Sequence, residues 1–277
     1  MVNFSEGRDA AVVTAVARAG GDHVLDVHSD PHHHRSVLTI AGPDTEDATR
    51  AVSRRAVELI DIRRHAGVHP RFGAVDVVPF VALDARGTPD ESDAALARAL
   101  SARERFASWA ADELAVPCFC YGPERSLPET RRRAFVELAP DFGPREPHPS
   151  AGSCAVGARG ALVAYNVWLS TSDEQVAAHI AREVRSPQVR ALGLRVGDYA
   201  QVSCNLLEPL KFGPEQAYDL VADLAGRSGV GVARAELVGL APSAVVEAVP
   251  PDRRRRLDVG DERTIEGRLQ ARRSSPG

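Results

Sequence analysis

The sequence predicts an α/β fold of the α+β sandwich type, built as two small α/β subdomains that each carry a mixed sheet with helices packed on it. Strand-like and helix-like segments alternate along the chain, which is typical of helices covering a sheet. A stretch rich in Pro, Gly, Arg and Glu over 123–153 divides these segments into two series. The 277 residues, of which 44% are hydrophobic, suffice to bury a core in each subdomain.

The first series contains seven segments with a clear helix or strand pattern. In chain order we predict a helix over 8–19, strands over 24–27 and 36–41, a helix over 45–62, a strand over 74–81, a helix over 90–114 and a strand over 116–122. Turn chemistry at 5–7 marks the start of the first helix. The second helix places Ala48, Val52 and Ile60 on or near one face. The strands are short apolar runs between turn residues.

The second series repeats the alternation after residue 160. We predict a strand over 161–169, a helix over 173–184, strands over 191–195 and 200–207, a helix over 214–227 and a strand over 234–240. The sequence therefore predicts subdomains over 1–160 and 161–250. The Arg253–256 run and the final Ser-Pro-Gly predict a polar, partly disordered tail over 251–277.

Composition restricts the classes of function. The net charge of −4 gives no overall electrostatic attraction to nucleic acid. No apolar run approaches the roughly 20 residues of a membrane helix, and no segment resembles a signal peptide, so we expect a cytoplasmic protein without a membrane partner. The four cysteines, at 118, 120, 154 and 204, lack the paired spacing of metal ligands. We expect free thiols and no metal.

One segment concentrates groups that can move protons and hold anions: His65-Ala-Gly-Val-His69-Pro-Arg71-Phe-Gly-Ala-Val-Asp76. Pro70 disfavours helix at the residue before it, so His69 is expected on a loop. Its imidazole titrates near neutral pH, which suits a general acid or base. The structural alternative has both histidines hydrogen-bonded near a helix end and Arg71 paired with Asp76. The segment by itself leaves both interpretations open.

Several motifs, taken in order, resemble one family. They are Asn3-Phe-Ser-Glu-Gly7, the segment from Arg64 through His69-Pro-Arg71 to Asp76, Ala139-Pro-Asp-Phe-Gly-Pro144 with Pro149-Ser-x-Gly152, Gly157-Ala-Arg159, Gln201-Val-Ser-x-Asn205 and Glu236-Leu-Val-Gly-Leu240. Together they are similar to the folate-dependent formiminotransferases, which use glutamate as acceptor in histidine degradation. The resemblance covers residues 3 to about 245.

The resemblance implies transfer of a formimidoyl group between N5 of tetrahydrofolate and the amino group of glutamate, with His69 as the catalytic histidine. It implies a folate-binding segment over 143–152, in which the site residues are Gly143, Pro144, Pro149, Ser150 and Gly152. It also implies tetrahydrofolate as one-carbon substrate, a cleft between the subdomains, a homodimer, and a monofunctional form without a cyclodeaminase domain.

Substrate carboxylates need cationic partners, and arginine can hold them bidentately. Arg35 and Arg71 are the candidates, each with a structural ion pair as the alternative, and Asp26 and Asn3 complete the predicted substrate site. Metal binding by the histidine-rich loop at 28–34 is the weaker alternative to a solvated or substrate-facing loop, because consecutive residues of an extended loop point in different directions. A glycine acceptor, a formyl group and a non-catalytic folate carrier also remain open.

Overall fold

The computed structural model describes residues 1–67, 71–84 and 86–274. The chain forms two compact units, Met1–Gly160 and Ala161–Gly277. Within the described residues the first unit contains a six-stranded mixed sheet and the second a four-stranded sheet, and helices accompany both. The predicted class, α/β with helices packed on sheets, is therefore confirmed.

The first unit alternates strands and helices through ten elements. They are β1 (Val2–Phe4), α1 (Ala10–Ala19), β2 (Val24–Asp30), β3 (Arg35–Ile40), α2 (Thr45–Leu59), β4 (Val75–Val81), α3 (Asp93–Leu114), β5 (Cys118–Tyr121), α4 (Leu127–Arg133) and β6 (Cys154–Arg159). The sheet order is β2-β3-β1-β4-β6-β5. β6 pairs in parallel with both β4 and β5, whereas the other pairs are antiparallel.

One face of this sheet packs against α1, α2 and α3, and the other face, on which α4 packs, carries the candidate polar residues. Phe4, Leu38 and Val78 join Val52 of α2 and Phe106 of α3 in the main core. Successive side chains of a strand point to opposite faces. The alternate residues therefore face away from α2 and α3, and they include the candidates on β1 and β3.

The second unit repeats this organisation with nine elements. They are β7 (Val163–Leu169), α5 (Glu174–Val184), β8 (Val189–Val196), β9 (Tyr199–Leu206), α6 (Pro214–Arg227), β10 (Val232–Val238), α7 (Ser243–Glu247), α8 (Pro251–Arg254) and α9 (Ile265–Ser274). The sheet order is β10-β7-β9-β8, and all of its described pairings are antiparallel. This sheet therefore differs from the mixed sheet that the sequence predicts.

The antiparallel pairing has a topological reason. β7 and β8 run in the same direction but do not touch, because β9 lies between them. This is a split βαβ unit, and the complete order is that of a βαββαβ arrangement. The first unit has the same order in β2-β3-β1-β4, to which β6 and β5 are added. β1, β3 and β4 thus correspond in topology to β7, β9 and β10.

Several described elements were not predicted from the sequence, among them β1, α4 and α7. β6 was not predicted, because its Ala- and Gly-rich sequence shows no alternation and adjoins the 123–153 stretch. The region after residue 250 was predicted to be a polar, partly disordered tail, yet α8 and α9 lie there. Leu257 is fully buried in the second core, and Tyr165 donates a hydrogen bond to its carbonyl oxygen at 2.8 Å. Arg253 is neutralised by Asp219 of α6 at 2.5 Å. None of the described helices is long and apolar enough to cross a membrane.

Candidate functional site

The predicted catalytic residue His69, together with Val68 and Pro70, lies outside the described residues. Its catalytic role stays a prediction. The residues that flank it are described, because His65 follows a 3-10 turn over Ile62–Arg64 and Arg71 leads into β4. The geometry of the site is therefore built from these flanks and from the elements they contact.

Arg71 joins its own segment to the turn between β2 and β3. The guanidinium donates to the backbone oxygens of His33 and His34, the second at 3.3 Å. Burial lowers the pKa of Arg71 to about 10, and the neighbouring charge of Arg35 adds to the shift. The side chain therefore remains cationic at neutral pH, and backbone acceptors hold it in one orientation.

His65 contacts the same turn. Its Nε2 lies 2.8 Å from the backbone oxygen of His34 and 3.2 Å from Nε of Arg71. The first contact needs a protonated Nε2 and the second an unprotonated one, so a neutral imidazole satisfies one at a time. Burial lowers the pKa of His65, which favours the neutral ring. The ring of His34 packs against it with centroids 4.4 Å apart.

Asp76 is the buried carboxylate of the site. Its side chain has no exposed surface. Oδ1 accepts the backbone N–H of Phe72 at 2.7 Å, and Oδ2 accepts Nη2 of Arg131 at 2.7 Å. The ion pair with Asp76 therefore comes from α4, which differs from the Arg71–Asp76 pair considered as the structural alternative. It fixes the turn that follows Arg71.

Arg35 and Asn3 meet on the face of the first sheet opposite α2 and α3. Nη2 of Arg35 donates to Oδ1 of Asn3 at 2.6 Å, and Nδ2 of Asn3 donates to the carbonyl of Val77 at 3.1 Å. Burial lowers the pKa of Arg35, and the charge of Arg131 acts in the same direction while Asp76 opposes it. Asn3 thus orients a buried guanidinium beside β4.

These contacts define an arginine cluster, which consists of Arg35, Arg71, Arg131 and the carboxylate of Asp76. Besides burial, neighbouring guanidinium groups lower the pKa of Arg35 and of Arg71, because like charges in a partly buried site repel. The carboxylate of Asp30 also acts on Arg71, although its Oδ1 already accepts the N–H groups of the following turn. A cluster with an excess of cations is suited to binding carboxylates.

The end of the predicted folate segment lies directly against the Arg71 segment. Ser153 donates its backbone N–H to Phe72 at 3.0 Å, and Ala74 donates to Ala151 at 2.8 Å. Gly73 permits this approach, because a β-carbon there would clash with the backbone oxygens of Ala151 and Ser153. The structure therefore brings together two motifs that are about 80 residues apart in the sequence.

The predicted folate residues occupy different environments. Pro144 and Pro149 are exposed, and Ser150 accepts the N–H of Ile62 at 2.8 Å through its carbonyl. Gly143 and Gly152 both have positive φ, at 90° and 68°. At Gly143 a β-carbon would press on α3 and Pro117, so glycine is required there for packing of the loop. Only the exposed side of this loop is accessible to a ligand.

Asp26 lies apart from the arginine cluster. It pairs in register with Thr39, whereas Arg35 pairs with Asp30 at the other end of β2. Four residues of strand correspond to about 13 Å. The predicted substrate residues Asn3, Arg35 and Arg71 are thus brought together, and Asp26 is not among them.

The histidine-rich loop does not gather its imidazoles at one point. His28 lies on β2 opposite Val37, His32 is exposed and His33 is buried. Among residues 1–67, 71–84 and 86–274, no group of three or more His, Cys, Asp or Glu side chains could hold a metal ion. The described part of the loop instead supplies backbone acceptors to Arg71.

Comparison with known proteins assigns the family. The sequence model described as "Formiminotransferase domain, N-terminal subdomain" matches residues 1–159. The chain belongs to the formiminotransferase family. A protein named glutamate formimidoyltransferase from Thermoplasma acidophilum is 37% identical over 270 residues, covering 87% of this chain and 86% of the relative. A protein of the same name from Streptococcus pyogenes is 34% identical over 269 residues, covering 87% of each chain.

A longer relative shares the same region. The formimidoyltransferase-cyclodeaminase of Sus scrofa is 35% identical over 275 residues, which cover 87% of this chain and 49% of the relative. The resemblance that the motifs indicate is thereby confirmed as membership of the formiminotransferase family.

Sequence reasoning missed Arg131 as a member of the site. It lies in an arginine run on α4, where Arg132 is exposed and Arg133 pairs with Glu129 and Glu137 of its own region. Nothing in the local pattern distinguishes the residue that reaches Asp76. The available signal was Asp76 itself, since a carboxylate at the start of a buried strand needs a cationic or N–H partner.

Proposed function

We propose that this protein transfers a formimidoyl group between 5-formimidoyltetrahydrofolate and L-glutamate. Two relatives named glutamate formimidoyltransferase are 34% and 37% identical in sequence to this chain, over 87% of its length. The observation that carries the proposal is the contact between the arginine cluster and the end of the folate motif, through Phe72, Gly73 and Ala151. Anion-binding groups and the loop expected to contact folate thus lie side by side.

The arginine cluster supports an acceptor with carboxylates. Arg71 and Arg35 are cationic and held in place by acceptors on the protein, so little side-chain freedom is lost when they bind an anion. A bidentate arginine–carboxylate pair gives direction as well as attraction. L-glutamate offers two carboxylates to such a cluster and glycine offers one, which favours glutamate over the glycine alternative.

We propose His69 as the general acid and base. When the glutamate amine attacks the formimidoyl carbon, a C–N bond forms and the amine loses a proton. When the bond from that carbon to N5 breaks, the folate nitrogen gains a proton. One imidazole with a pKa near neutral can serve both steps in turn, and such a group contributes roughly 10²–10⁴-fold to rate.

His65 is assigned a supporting role in the same segment. Its lowered pKa keeps the ring neutral near pH 7, and the ring contacts both Arg71 and the backbone of His34. A neutral ring in this position orients Arg71 without adding a further positive charge. The formimidoyl group is therefore expected to meet His69 as the proton carrier, while Arg71 holds a substrate carboxylate.

The proposal for folate concerns the exposed side of residues 143–152. Pro144 and Pro149 offer rigid apolar surface for a flat ring, and Ser150 and Gly152 offer polar and backbone groups nearby. Folate is treated as substrate, and we propose that no metal takes part, since an imidazole supplies the necessary proton transfers.

The test follows tetrahydrofolate formed from 5-formimidoyltetrahydrofolate with glutamate or glycine as acceptor. We expect glutamate-dependent turnover, with His69→Ala lowering kcat by about a hundredfold or more. His32→Ala, a substitution at an exposed histidine of the nearby loop, serves as the matched control and should keep its activity. Unchanged activity of the His69 variant would refute the proton-transfer role. Binding of folate without turnover of either acceptor would favour the carrier alternative.

Two broader expectations accompany this function. We propose a homodimer in the cytoplasm, with the transferase subdomains over 1–160 and 161–250. Light scattering of the purified protein tests the homodimer, and fractionation of the source cells tests the cytoplasmic location. A monomer at micromolar concentration would contradict the dimer.

A further inference from the structure

The predicted folate segment ends in a tight turn over residues 148–152, which is called the 148–152 turn. The backbone N–H of His148 donates to the carbonyl of Gly152 at 2.8 Å, and the N–H of Gly152 donates to the carbonyl of His148 at 2.9 Å. These two bonds close the turn at its base. The side chain of His148 is half-buried beside it.

The imidazole of His148 supplies a further acceptor to this turn. Its Nδ1 accepts the N–H of Ala151 at 3.0 Å and the N–H of Ser150 at 3.3 Å. Pro149 has no N–H, so His148 binds every N–H group inside the turn. A ring nitrogen that accepts must be unprotonated, so the neutral imidazole carries its proton on Nε2. The backbone therefore fixes the tautomer of His148.

Peptide geometry turns these contacts into control of two carbonyl groups. In a planar trans peptide, the C=O and the N–H point in opposite directions. The N–H of Ala151 points to Nδ1 of His148, so the carbonyl of Ser150 points out of the turn. The N–H of Gly152 points to the carbonyl of His148, so the carbonyl of Ala151 also points outward. His148 thereby sets the direction of both carbonyls.

Both carbonyls bind the part of the chain that carries the predicted catalytic residue. The carbonyl of Ser150 accepts the N–H of Ile62 at 2.8 Å, and the carbonyl of Ala151 accepts the N–H of Ala74 at 2.8 Å. The stretch between these two N–H groups is called the clamped segment. It includes His69, which lies outside the described residues. The chain on both sides of His69 is therefore bound to one turn.

The clamped segment continues from these contacts to the arginine cluster. The carbonyl of Ile62 accepts the N–H of His65 at 3.1 Å, and Nε2 of His65 lies 3.2 Å from Nε of Arg71. At the other end, Ser153 donates its N–H to the carbonyl of Phe72 at 3.0 Å. A displaced turn would therefore move both flanks of the predicted catalytic residue.

The burial of the turn makes the acceptor on His148 necessary. Ala151 is 1% exposed, so water does not reach its N–H in place of Nδ1. A buried N–H without an acceptor is unfavourable. Rotation of its peptide toward another acceptor would swing the carbonyl of Ser150 away from Ile62. Removal of Nδ1 would therefore loosen one end of the clamped segment.

We propose that His148 is a positioning residue for the transfer reaction, and that it holds the clamped segment in place by accepting two backbone N–H groups through Nδ1. This inference rests on the proposed function. His148 acts through the 148–152 turn and makes no contact with the reacting atoms. The reaction requires an acceptor at the position of Nδ1, and it does not require the imidazole ring as such.

The test compares His148→Asn with His148→Gln in the transfer assay. Oδ1 of asparagine lies at the position of Nδ1 and can accept the same backbone N–H groups, whereas Oε1 of glutamine reaches the position of Nε2. We expect His148→Asn to keep kcat within about threefold of the wild type. His148→Gln should lower kcat about tenfold or more, because a small misplacement of a catalytic group is costly.

The KM for glutamate separates this role from loss of the anion site. It should change by less than about threefold in both variants, because the backbone oxygens of His33 and His34 hold Arg71 independently of the turn. His179→Gln, at an exposed histidine of α5, is the matched control and should match the wild type in kcat and KM. A loss in His148→Gln that affects KM and leaves kcat unchanged would contradict the positioning role.

Amide hydrogen exchange tests the attachment of the clamped segment without catalysis. Mass spectrometry of peptides that cover Ile62 and Ala74 should show exchange at least about fivefold faster in His148→Gln than in the wild type, and unchanged exchange in His148→Asn. If the wild type turns over neither acceptor, the proposed function fails, and the exchange rates still decide whether His148 holds the segment. Unchanged exchange in His148→Gln overturns the inference even when the wild type is active.

The remaining outcomes also decide the question. Wild-type kcat in His148→Gln overturns the inference, and so does an equal loss of kcat in the Asn and Gln variants. If His148→Gln fails to fold, as circular dichroism would show, His148→Asn decides. A folded Asn variant that keeps its kcat supports the acceptor role, and a loss of about tenfold or more in that variant refutes it.

Discussion

Replacement of Arg131 by methionine tests whether the buried pair with Asp76 stabilises the first unit. The variant keeps an unbranched apolar side chain and removes the guanidinium. Among the described residues, Asp76, whose side chain has no exposed surface, would retain the N–H of Phe72 as its hydrogen-bond donor. Removing one partner of a buried ion pair costs roughly 3–5 kcal/mol. Because the Arg131 side chain is 18% exposed and water can reach part of the space, we expect a loss of about 3 kcal/mol.

The assay is urea denaturation followed by circular dichroism, with a thermal scan in parallel. A loss of about 3 kcal/mol corresponds to roughly 6–12 °C in Tm for a unit of this size. The double variant Arg131→Met with Asp76→Asn completes a mutant cycle, and a coupling free energy above about 1 kcal/mol is expected. Arg132→Met is the matched control, because Arg132 is the exposed neighbour in the same helix. A loss below about 0.5 kcal/mol for Arg131→Met, equal to that of the control, would refute the reasoning.

Three further changes test the same site. Arg71→Lys should raise the KM for glutamate about tenfold in the transfer assay, because lysine lacks the bidentate fork, whereas Arg64→Lys at an exposed position should not. Burial lowers the pKa of His65 below its ordinary value of 6.5, so His65 is protonated at higher pH in the unfolded chain than in the folded protein. The free energy of unfolding therefore falls as the pH drops below 6.5. His65→Gln should reduce that loss, measured by urea titrations between pH 5 and pH 7. Gly73→Ala should lower Tm and folate affinity together, because its β-carbon would clash with the carbonyl of Ser153; an unchanged Tm would contradict this.

The local sequence pattern was sufficient to predict the bounds of an element where those bounds depend on the element's own residues. The predicted helix over 214–227 coincides with α6, because Pro at the first turn and an apolar face define it locally. The predicted strand over 74–81 differs from β4 by one residue, since a mostly apolar run that follows a glycine is typical of a buried strand. The small residues of β6 gave no such signal, although that strand lies between β4 and β5.

Part of the site was also predictable, because it depends on residue types and motifs that are visible in the sequence. Arg71 and Arg35 could be proposed because carboxylate substrates require cations, and the motifs around them resemble a known family. The sequence did not show that Asp26 lies about 13 Å along β2 from the pair Asp30–Arg35, because that distance depends on the register of two strands.

The sequence by itself determined the alternation of strands and helices, membership of the formiminotransferase family and the residue types available for proton transfer and anion binding. Only the tertiary structure decided that Arg131 pairs with Asp76 across 55 residues, that the end of the folate motif lies against Phe72 and Gly73, and that Glu236 meets Asn166 across 70 residues. Helical periodicity and turn chemistry are local and can be read from neighbouring residues. Pairings over such separations depend on strand register and on the packing of elements, which no local pattern encodes.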